Sequence, residues 1–221
     1  MLWGEKRMYN SVIEDHDVCC GCTACVEACP KKCLSIEHDD LGFKYVKFEK
    51  KDECINCGIC AKVCQKQKKD IMDKKETRVK RYFAQNKEGK ILEESSSGGA
   101  YSAIAEYVLE NKGIVWGVAI NENGETYFDD VTAKKDLAKL RGSKYVEVSN
   151  EIPFDKIKKQ LDNKKIVLFS GLPCQVSALK LFLGNKEYDN LILIDLLCYG
   201  IQAPYIWKKY LNEVNQKRFS H

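Results

Sequence analysis

The chain has 221 residues, a formal net charge of +4 and a mean hydropathy of −0.40. That length accommodates one large domain or a small and a medium one, and 44% hydrophobic residues are enough for a packed core. No apolar run approaches the length of a membrane span, and the interspersed acids and lysines argue against nucleic-acid binding. Twelve cysteines without a recognisable export signal favour the reducing cytoplasm.

Eight cysteines form two copies of one spaced motif. The first copy is Cys19-x2-Cys22-x2-Cys25-x3-Cys29, and the second repeats it 35 residues later, from Cys54 to Cys64. In iron–sulfur proteins with this spacing, three cysteines of one copy bind a [4Fe–4S] cluster together with the fourth cysteine of the other copy. The motif therefore predicts two clusters. The predicted ligands are Cys19, Cys22, Cys25 and Cys64 for the first cluster, and Cys29, Cys54, Cys57 and Cys60 for the second.

Two other uses of these thiols fit the pattern less well. Structural zinc usually takes paired Cys-x2-Cys knuckles with four ligands per ion, and it does not require a triplet with a distant fourth cysteine. A disulfide framework is disfavoured because the thiols crowd at short spacing without an export signal. Cys20 and Cys33 lie outside the motif, and we expect both to be buried thiols.

The segments around the second motif predict the domain organisation. Residues 33–36 and 43–48 alternate apolar and polar side chains, which predicts a hairpin with its turn at residues 39–42. Gln65 stands where the first copy has Pro30, so a looser corner is expected there. Lysines and acids dominate residues 65–78, which indicates a boundary. The predicted parts are a ferredoxin-type α+β cluster domain at 1–70, a linker at 71–80 and an α/β domain at 81–221.

After the linker, short apolar segments alternate with helical patterns, which predicts an α/β domain with a partly parallel mixed sheet. A strand is expected to begin at residues 81–84, and a helix is expected to follow residues 95–99 and stop at Gly113. The other predicted strands lie at 114–120, around 127–128, at 166–169 and at 191–196. The other predicted helices lie at 136–140, from Pro153, at 175–183 and from about 205 to 214.

Two cysteines follow predicted strands of this domain. Cys174 comes after residues 166–169, and Cys198 comes after residues 191–196. Ligands of α/β sheets bind at the carboxyl ends of the strands, so both thiols are expected at that crevice. The sequence leaves open whether they are structural, metal ligands or a redox pair.

Two loops are candidate anion sites. The serine–glycine stretch at 95–99 could bind a phosphate, because glycines allow close backbone approach and the following helix offers free N–H groups. A serine-rich helix start is, however, also ordinary structure. The stretch at 141–144 adds two cations and a flexible turn, and its structural alternative is a helix C-cap with charged neighbours.

The chain resembles the family of coenzyme F420 hydrogenase/dehydrogenase beta subunits, in the version with an N-terminal two-cluster ferredoxin domain. The resemblance is carried by residues 96–99, 141–145, 171–175 and 195–200, in the family's order. It implies a flavin, normally FAD, on the α/β domain, with electrons passing between the flavin and iron–sulfur centres. The candidate flavin contacts are Ser95, Ser96, Ser97, Gly98, Gly99, Arg141, Gly142, Ser143, Lys144 and Tyr145.

The chain also departs from the family pattern. Members commonly have Cys-His-Gly where this chain has Cys198-Tyr199-Gly200. The resemblance implies that Cys174 and Cys198 bind a third [4Fe–4S] cluster, completed in the family by a downstream Cys-x2-Cys pair. These 221 residues contain no such pair after Cys198. We therefore expect a chain truncated at its C-terminus, with half of a third cluster site.

These observations predict a cytoplasmic iron–sulfur flavoprotein oxidoreductase that passes electrons between two [4Fe–4S] clusters and a flavin. The expected partners are a ferredoxin-type carrier or another redox subunit, and a conjugated organic substrate such as the deazaflavin coenzyme F420. No catalytic residue is identified. The alternatives are a non-catalytic, ferredoxin-like electron-transfer subunit and an inactive fragment.

Overall fold

The computed structural model describes residues 18–67 and 80–219, with side chains described as far as Val214. The predicted linker at 71–80 lies outside the described residues, apart from Lys80. Among the helices described, none combines the length and apolar character needed to cross a membrane.

The cluster domain consists of short helices around one hairpin. Strands β1 (Leu34–His38) and β2 (Lys44–Phe48) pair antiparallel, with Leu34 opposite Phe48 and His38 opposite Lys44. The carboxylate of Asp39 accepts hydrogen bonds from the backbone of Leu41 and Phe43 and so closes the turn. This confirms the predicted hairpin. Helices α1 (Ala24–Ala28) and α2 (Ile59–Lys62) each contain the third cysteine of a motif, and 3-10 turns lie at Lys51–Glu53 and Gln65–Gln67.

The two cysteine loops repeat in backbone conformation as well as in sequence. Gly21 and Thr23 have φ values of 62° in the first loop, and Asn56 and Gly58, 35 residues later, have values of 54° and 71°. A left-handed residue on either side of the second cysteine turns the chain back on itself, which lets successive thiols face one point. Each second left-handed residue also lies directly before a helix.

The second part of the chain is built on a four-stranded sheet. Its strands are β3 (Ile114–Ile120), β4 (Thr126–Val131), β5 (Val167–Gly171) and β6 (Leu191–Asp195), in the order β4-β3-β5-β6. Strands β3 and β4 pair antiparallel, whereas β3–β5 and β5–β6 are parallel. This confirms the predicted mixed, partly parallel sheet. The helices are α3 (Gly89–Glu93), α4 (Ala100–Glu110), α5 (Phe154–Asp162), α6 (Pro173–Phe182) and α7 (Pro204–Phe219).

Three local predictions differ from the structure. The strand predicted to begin at residues 81–84 does not form, and the four-stranded sheet is built without it. The backbone N–H of Asn86 instead donates to the carbonyl of Gly98, so this segment runs beside the start of α4. The helix α3 was not predicted. The predicted helix at 136–140 is a 3-10 helix at Lys134–Leu140.

The sheet buries apolar side chains on both faces. On one face, Val115 and Leu168 pack with Val108 of α4. On the other face, Trp116 and Phe169 belong to a core that also includes residues from α5 and α6. Ala24 and Val63 of the cluster domain belong to this second core as well. The cluster domain therefore packs directly on the face of the sheet that α5 and α6 cover.

Polar contacts reinforce this packing between distant parts of the sequence. The carboxylate of Glu27 accepts hydrogen bonds from the backbone N–H groups of Phe154 and Asp155, at 2.9 and 2.8 Å. These groups lie at the first turn of α5, where no side chain of the helix itself provides a cap. The Lys44 backbone N–H donates to the Glu147 carboxylate at 3.1 Å. Burial raises the pKa of Glu27, and the two N–H donors oppose that shift.

Candidate iron–sulfur and cofactor sites

The predicted ligands of the first cluster line one cavity. Cys19, Cys22, Cys25 and Cys64 surround it together with apolar side chains such as Val46 and Val63. The empty space there is about 430 Å³, open solvent included. Cys22 and Cys25 also pack against the core shared with the sheet. The first ligand set therefore lies between the cluster domain and the α/β domain.

The predicted ligands of the second cluster line another cavity. Cys29, Cys54, Cys57 and Cys60 surround about 320 Å³ of empty space, again with open solvent included. All of the residues lining it lie between Cys29 and Cys60. Cys57 is exposed, and the nearby apolar residue Ile55 is 57% exposed. A small core of Val26, Leu34 and Val46 packs against thiols of both ligand sets.

The lining of the two cavities is consistent with the predicted exchange of fourth ligands between the motifs, which stays a prediction. Cys64 reaches the cavity of the first copy, and Cys29 reaches the cavity of the second. Among residues 18–67 and 80–219, no three His, Cys, Asp or Glu side chains converge closely enough for a single metal ion. Thiol-lined cavities suit [4Fe–4S] clusters, whose ligands are cysteine thiolates.

Burial governs the protonation of these thiols in the protein without iron. It raises the pKa of Cys19, Cys60 and Cys64, against the effect of nearby backbone N–H donors. Burial and neighbouring thiols raise the pKa of Cys25 further. A bound cluster requires thiolates, and its iron ions supply the positive charge that offsets this cost. The backbone N–H of Cys33 donates to the Cys29 sulfur at 3.3 Å, the kind of hydrogen bond that tunes cluster potentials.

The two cysteines outside the motif have different environments. Cys33 is buried, as expected. Cys20 is only half-buried, and the neighbouring thiols of Cys174 and Cys22 lower its pKa. The side-chain amide of Gln65 donates both to the Cys20 sulfur, at 3.2 Å, and to the Cys174 carbonyl, at 2.9 Å. Gln65 thus holds the two domains together at a corner where a looser chain was expected.

Cys174 and Cys198 lie where the sequence places them, at the carboxyl end of the parallel strands. Cys174 is in the first turn of α6, directly after β5, and Cys198 follows β6. Cys198 is close enough to Cys174 for their charges to interact. That the two thiols bind a third cluster stays a prediction.

The two predicted flavin loops lie side by side at the start of α4. The backbone N–H of Ser143 donates to the Ser96 hydroxyl at 2.8 Å, which joins the 95–99 loop to the 141–145 loop. No side chain caps α4, whose N-cap residue is Gly99. The N–H groups of its first turn therefore lack a side-chain cap beside a serine-rich loop. An uncapped helix start is suited to an anion.

The glycines of the first loop are also required by packing. A Cβ on Gly98 would lie 2.3 Å from the carbonyl oxygen of Ala84, so only glycine fits beside that segment. Gly99 has a φ of 70°, and its added Cβ would approach Asn86 at 3.0 Å. Asn86 was not predicted as a site residue, although its backbone holds the loop through Gly98. Its only sequence signal is its position before the Ser–Gly stretch.

The cations of the second loop have unequal roles. The Arg141 side chain is 13% exposed, and its guanidinium binds the carboxylate of Glu94 at 2.9 Å and the hydroxyl of Ser102 at 3.0 Å. Its charge is therefore largely balanced within the protein. Lys144 has no carboxylate partner among the described ion pairs, and its ammonium donates to backbone carbonyls of Lys139 and Arg141. Burial lowers the pKa of Lys144 to about 8.

Comparisons with known proteins match both parts of the chain. Residues 18–68 match the 4Fe-4S dicluster domain, and residues 81–151 match the N-terminal domain of the coenzyme F420 hydrogenase/dehydrogenase beta subunit. The beta subunit of the F420-dependent formate dehydrogenase of Methanocaldococcus jannaschii is 32% identical over 121 residues, covering 52% of this chain and 31% of the relative. A subunit of the F(420)H(2) dehydrogenase of Methanosarcina mazei is 29% identical over 196 residues, covering 83% and 54%.

A similar match is found to the beta subunit of the F420-dependent formate dehydrogenase 1 of Methanococcus maripaludis, which is 31% identical over 129 residues and is covered to 32%. The chain thus spans between about a third and about half of the length of these curated relatives. The dicluster match and the thiol-lined cavities define the class, an iron–sulfur protein with a 4Fe–4S dicluster domain joined to an α/β domain. Within that class, the chain is similar to the coenzyme F420 hydrogenase/dehydrogenase beta subunits, whose N-terminal domain matches residues 81–151.

Proposed function

We propose that this protein is an electron-transfer oxidoreductase subunit that carries two [4Fe–4S] clusters and a flavin, normally FAD. The observation that carries the proposal is a pair of thiol-lined cavities, each lined by one complete predicted ligand set, with Cys60 lining both. An iron–sulfur cluster exchanges single electrons and a flavin exchanges one or two, so together they connect carrier proteins to hydride chemistry. The names of the three relatives support coenzyme F420 or a related conjugated molecule as the organic substrate.

The composition of the purified protein tests this proposal. Anaerobically prepared protein should contain about eight iron and eight sulfide per chain, four of each for every [4Fe–4S] cluster. It should also retain FAD or bind it when FAD is added. Zinc in place of iron would contradict the cluster assignment. Full iron with no affinity for FAD would favour the alternative, a ferredoxin-like subunit without a catalytic site.

The flavin would be held where the 95–99 and 141–145 loops meet. The uncapped start of α4 and the Lys144 ammonium suit the pyrophosphate of FAD, whereas Arg141 holds the loop through Glu94 and Ser102. Tyr145 is exposed beside Lys144 and is available to a ligand. Because Arg141 is engaged in this way, we assign it a positioning role and Lys144 the direct electrostatic role.

The pH dependence of FAD binding tests the role of Lys144. A lysine with a pKa of about 8 is largely charged at pH 7 and largely neutral at pH 9, and an anionic ligand favours the charged form. FAD affinity should therefore fall as pH rises through 8, by up to about ten-fold, which corresponds to the loss of protonated Lys144. Titrations at pH 7 and 9 should show this fall in the wild type and in Lys180→Met, an exposed control on α6. Lys144→Met should bind weakly at both pH values, and an unchanged pH dependence in that variant would exclude Lys144.

A ferredoxin-type carrier or a partner subunit would exchange electrons at the second cavity. This cavity lies away from the sheet, and the exposed Cys57 and Ile55 stand beside it. Ile55→Glu should slow cluster reduction by a ferredoxin while leaving reduction by dithionite unchanged. Leu41→Glu, at an apolar side chain of similar exposure on the hairpin turn, is the matched control. Equal effects of the two variants would place the docking surface elsewhere.

A further inference from the structure

Two residues of opposite charge lie at the first cysteine loop. Lys44 is 5% exposed, and its ammonium donates to the backbone carbonyl of Asn150 at 3.1 Å. The Glu147 carboxylate accepts the backbone N–H of Lys44 at 3.1 Å. Both residues border Gly21, where an added Cβ would lie 3.3 Å from the Lys44 Cβ and 3.0 Å from a Glu147 carboxylate oxygen. Gly21 directly precedes Cys22, so both residues lie beside a predicted ligand of the first cluster.

The Lys44 ammonium is held at the core that two predicted ligands contact. The side chain of its partner Asn150 exchanges two hydrogen bonds with the backbone of Phe128, at 2.8 and 3.0 Å. Phe128 belongs to the core against which Cys22 and Cys25 pack. The cation is therefore fixed near these thiols, and it is not free to move into solvent, where its charge would be screened.

Strand β2 places Lys44 closer to the first cavity than to the second. Lys44, Val46 and Phe48 lie on one face of the strand, since side chains alternate between faces. Val46 lines the first cavity and Phe48 lines the second. At about 3.4 Å per residue, Lys44 lies about 7 Å along the strand from Val46 and about 14 Å from Phe48. The effect of its charge should therefore be larger at the first cavity.

The contact between the domains does not by itself require the ammonium. The Glu147 carboxylate binds the Lys44 backbone N–H, which most residues would supply at this position. The buried ammonium is therefore an additional feature, and lysine is seldom buried unless it is paired. Burial lowers the pKa of Lys44 and raises that of Glu147, while each charge opposes the shift of the other. The two residues thus support each other in their charged forms.

Charges at this position act on the electron that a cluster accepts. Reduction adds one negative charge to a cluster, so a nearby cation favours the reduced form and a nearby anion disfavours it. We propose that Lys44 and Glu147 tune the reduction potential of the first cluster in opposite directions, with Lys44 raising it and Glu147 lowering it. This inference rests on the proposed two-cluster function, and it is independent of whether the α/β domain binds a flavin.

Redox titrations of the cluster-containing protein at neutral pH, followed by electron paramagnetic resonance, test this assignment. Lys44→Met should make one reduction step less favourable by up to about tenfold, which corresponds to about 59 mV for a one-electron couple. Glu147→Gln keeps an oxygen that can accept the Lys44 backbone N–H, and it should make the same step more favourable. The double variant should return close to the wild-type potential. Cys54→Ser, which removes a predicted ligand of the second cluster, identifies the step that belongs to the first.

Lys47→Met is the matched control. Lys47 lies on the same strand, but its side chain is 44% exposed, so solvent and salt screen its charge. Its loss should change either reduction step by less than about twofold. Equal effects of Lys44→Met and Lys47→Met would overturn the proposal. So would shifts of Lys44→Met and Glu147→Gln in the same direction, because a general disturbance of the site does not depend on the sign of the charge.

Iron analysis separates this proposal from the two-cluster function. Each variant should contain about eight iron per chain, as the wild type should, since neither Lys44 nor Glu147 is a predicted ligand. Iron lost from both variants but not from the wild type would show that the pair is structural, against the proposal. Full iron with unchanged potentials would overturn the tuning role alone. A low iron content in the wild type would contradict the two-cluster function, and the tuning role with it.

Discussion

The two cysteine motifs have the same spacing and backbone turns, but only the first is built into the rest of the protein. Positions 35 residues apart show the difference directly. Cys20 is joined to the start of α6 through the Gln65 amide, which also binds the Cys174 carbonyl, whereas its counterpart Ile55 is exposed. Glu27 binds the first turn of α5, whereas its counterpart Lys62 is exposed and caps no helix of the α/β domain in the described structure. The repeated loop therefore exists as an interior copy and a surface copy.

Gln65 belongs to the interior of the protein although it directly follows the second motif. It comes directly after Cys64, which lines the first cavity, and it reaches Cys20 and Cys174. Pro30 comes after Cys29, which lines the second cavity, and it is exposed. The environment of a residue therefore depends on which cavity it adjoins, and not on which motif it belongs to.

Loss of a cluster ligand should give the largest effect and should separate the two cavities. Cys25→Ser and Cys54→Ser should each lower iron by up to about four per chain, since each removes one ligand of one [4Fe–4S] cluster. Only Cys25 of this pair packs against the core shared with the sheet, so Cys25→Ser should also lower the apparent Tm of the α/β domain. Iron analysis and thermal unfolding followed by circular dichroism measure both quantities. Equal falls in Tm for the two variants would contradict the interior and surface distinction.

The next largest effect on stability is expected from substitutions at Gly21 and Asn56, which occupy the same left-handed position in the two cysteine loops. An added Cβ at Gly21 would lie 2.7 Å from the carbonyl oxygen of Lys44, which belongs to the strand that contacts Glu147. Gly21→Asn should therefore destabilise the protein by about 1–3 kcal/mol, the usual cost of overpacking.

The reverse exchange is the matched control. Asn56 has a φ of 54° and an exposed side chain, so Asn56→Gly should change stability by less than about 0.5 kcal/mol. Asparagine tolerates the left-handed conformation better than most residues, so the pair isolates the steric contact from backbone strain. Thermal unfolding at matched iron content measures the difference, and similar Tm values would show that the Lys44 contact yields easily.

Local patterns in the sequence predicted most of the secondary structure. The hairpin, the strand at Ile114–Ile120 and the helix after Gly99 follow from periodicity and turn residues within a few positions of each other. Each ligand set predicted from the spacing lines one cavity, although Cys60 of the second set and Cys20 also line the first cavity. These features were accessible because each depends on neighbouring residues or on a regular spacing.

Contacts between distant segments left no comparable signal. Tyr82 and Phe83 have strand-forming side chains, but a strand also requires a free sheet edge of suitable geometry, and this segment lies against Gly98 instead. From the sequence, Gln65 was only the replacement of a proline, because its hydrogen-bond partners Cys20 and Cys174 are distant along the chain. Arg141 was expected near a phosphate, because the sequence does not show that Glu94 and Ser102 surround it.

The smallest predicted effect concerns the cap that Glu27 provides to α5. Both carboxylate oxygens accept backbone N–H groups at a helix start without another side-chain cap. Glu27→Ala should therefore cost about 1 kcal/mol, the usual value for loss of a helix cap, and Glu27→Gln should cost less because one acceptor remains. Lys62→Ala, at the equivalent position of the second motif, should change stability by less than about 0.5 kcal/mol.

Hydrogen exchange distinguishes a lost cap from general destabilisation. In Glu27→Ala, the amides of Phe154 and Asp155 should exchange faster, while those of β5 should change only as much as global stability does. Lys62→Ala should leave both regions unchanged. A role specific to α5 confines the faster exchange to the first turn of that helix. Uniformly faster exchange in Glu27→Ala would instead show that Glu27 supports the packing between the domains as a whole.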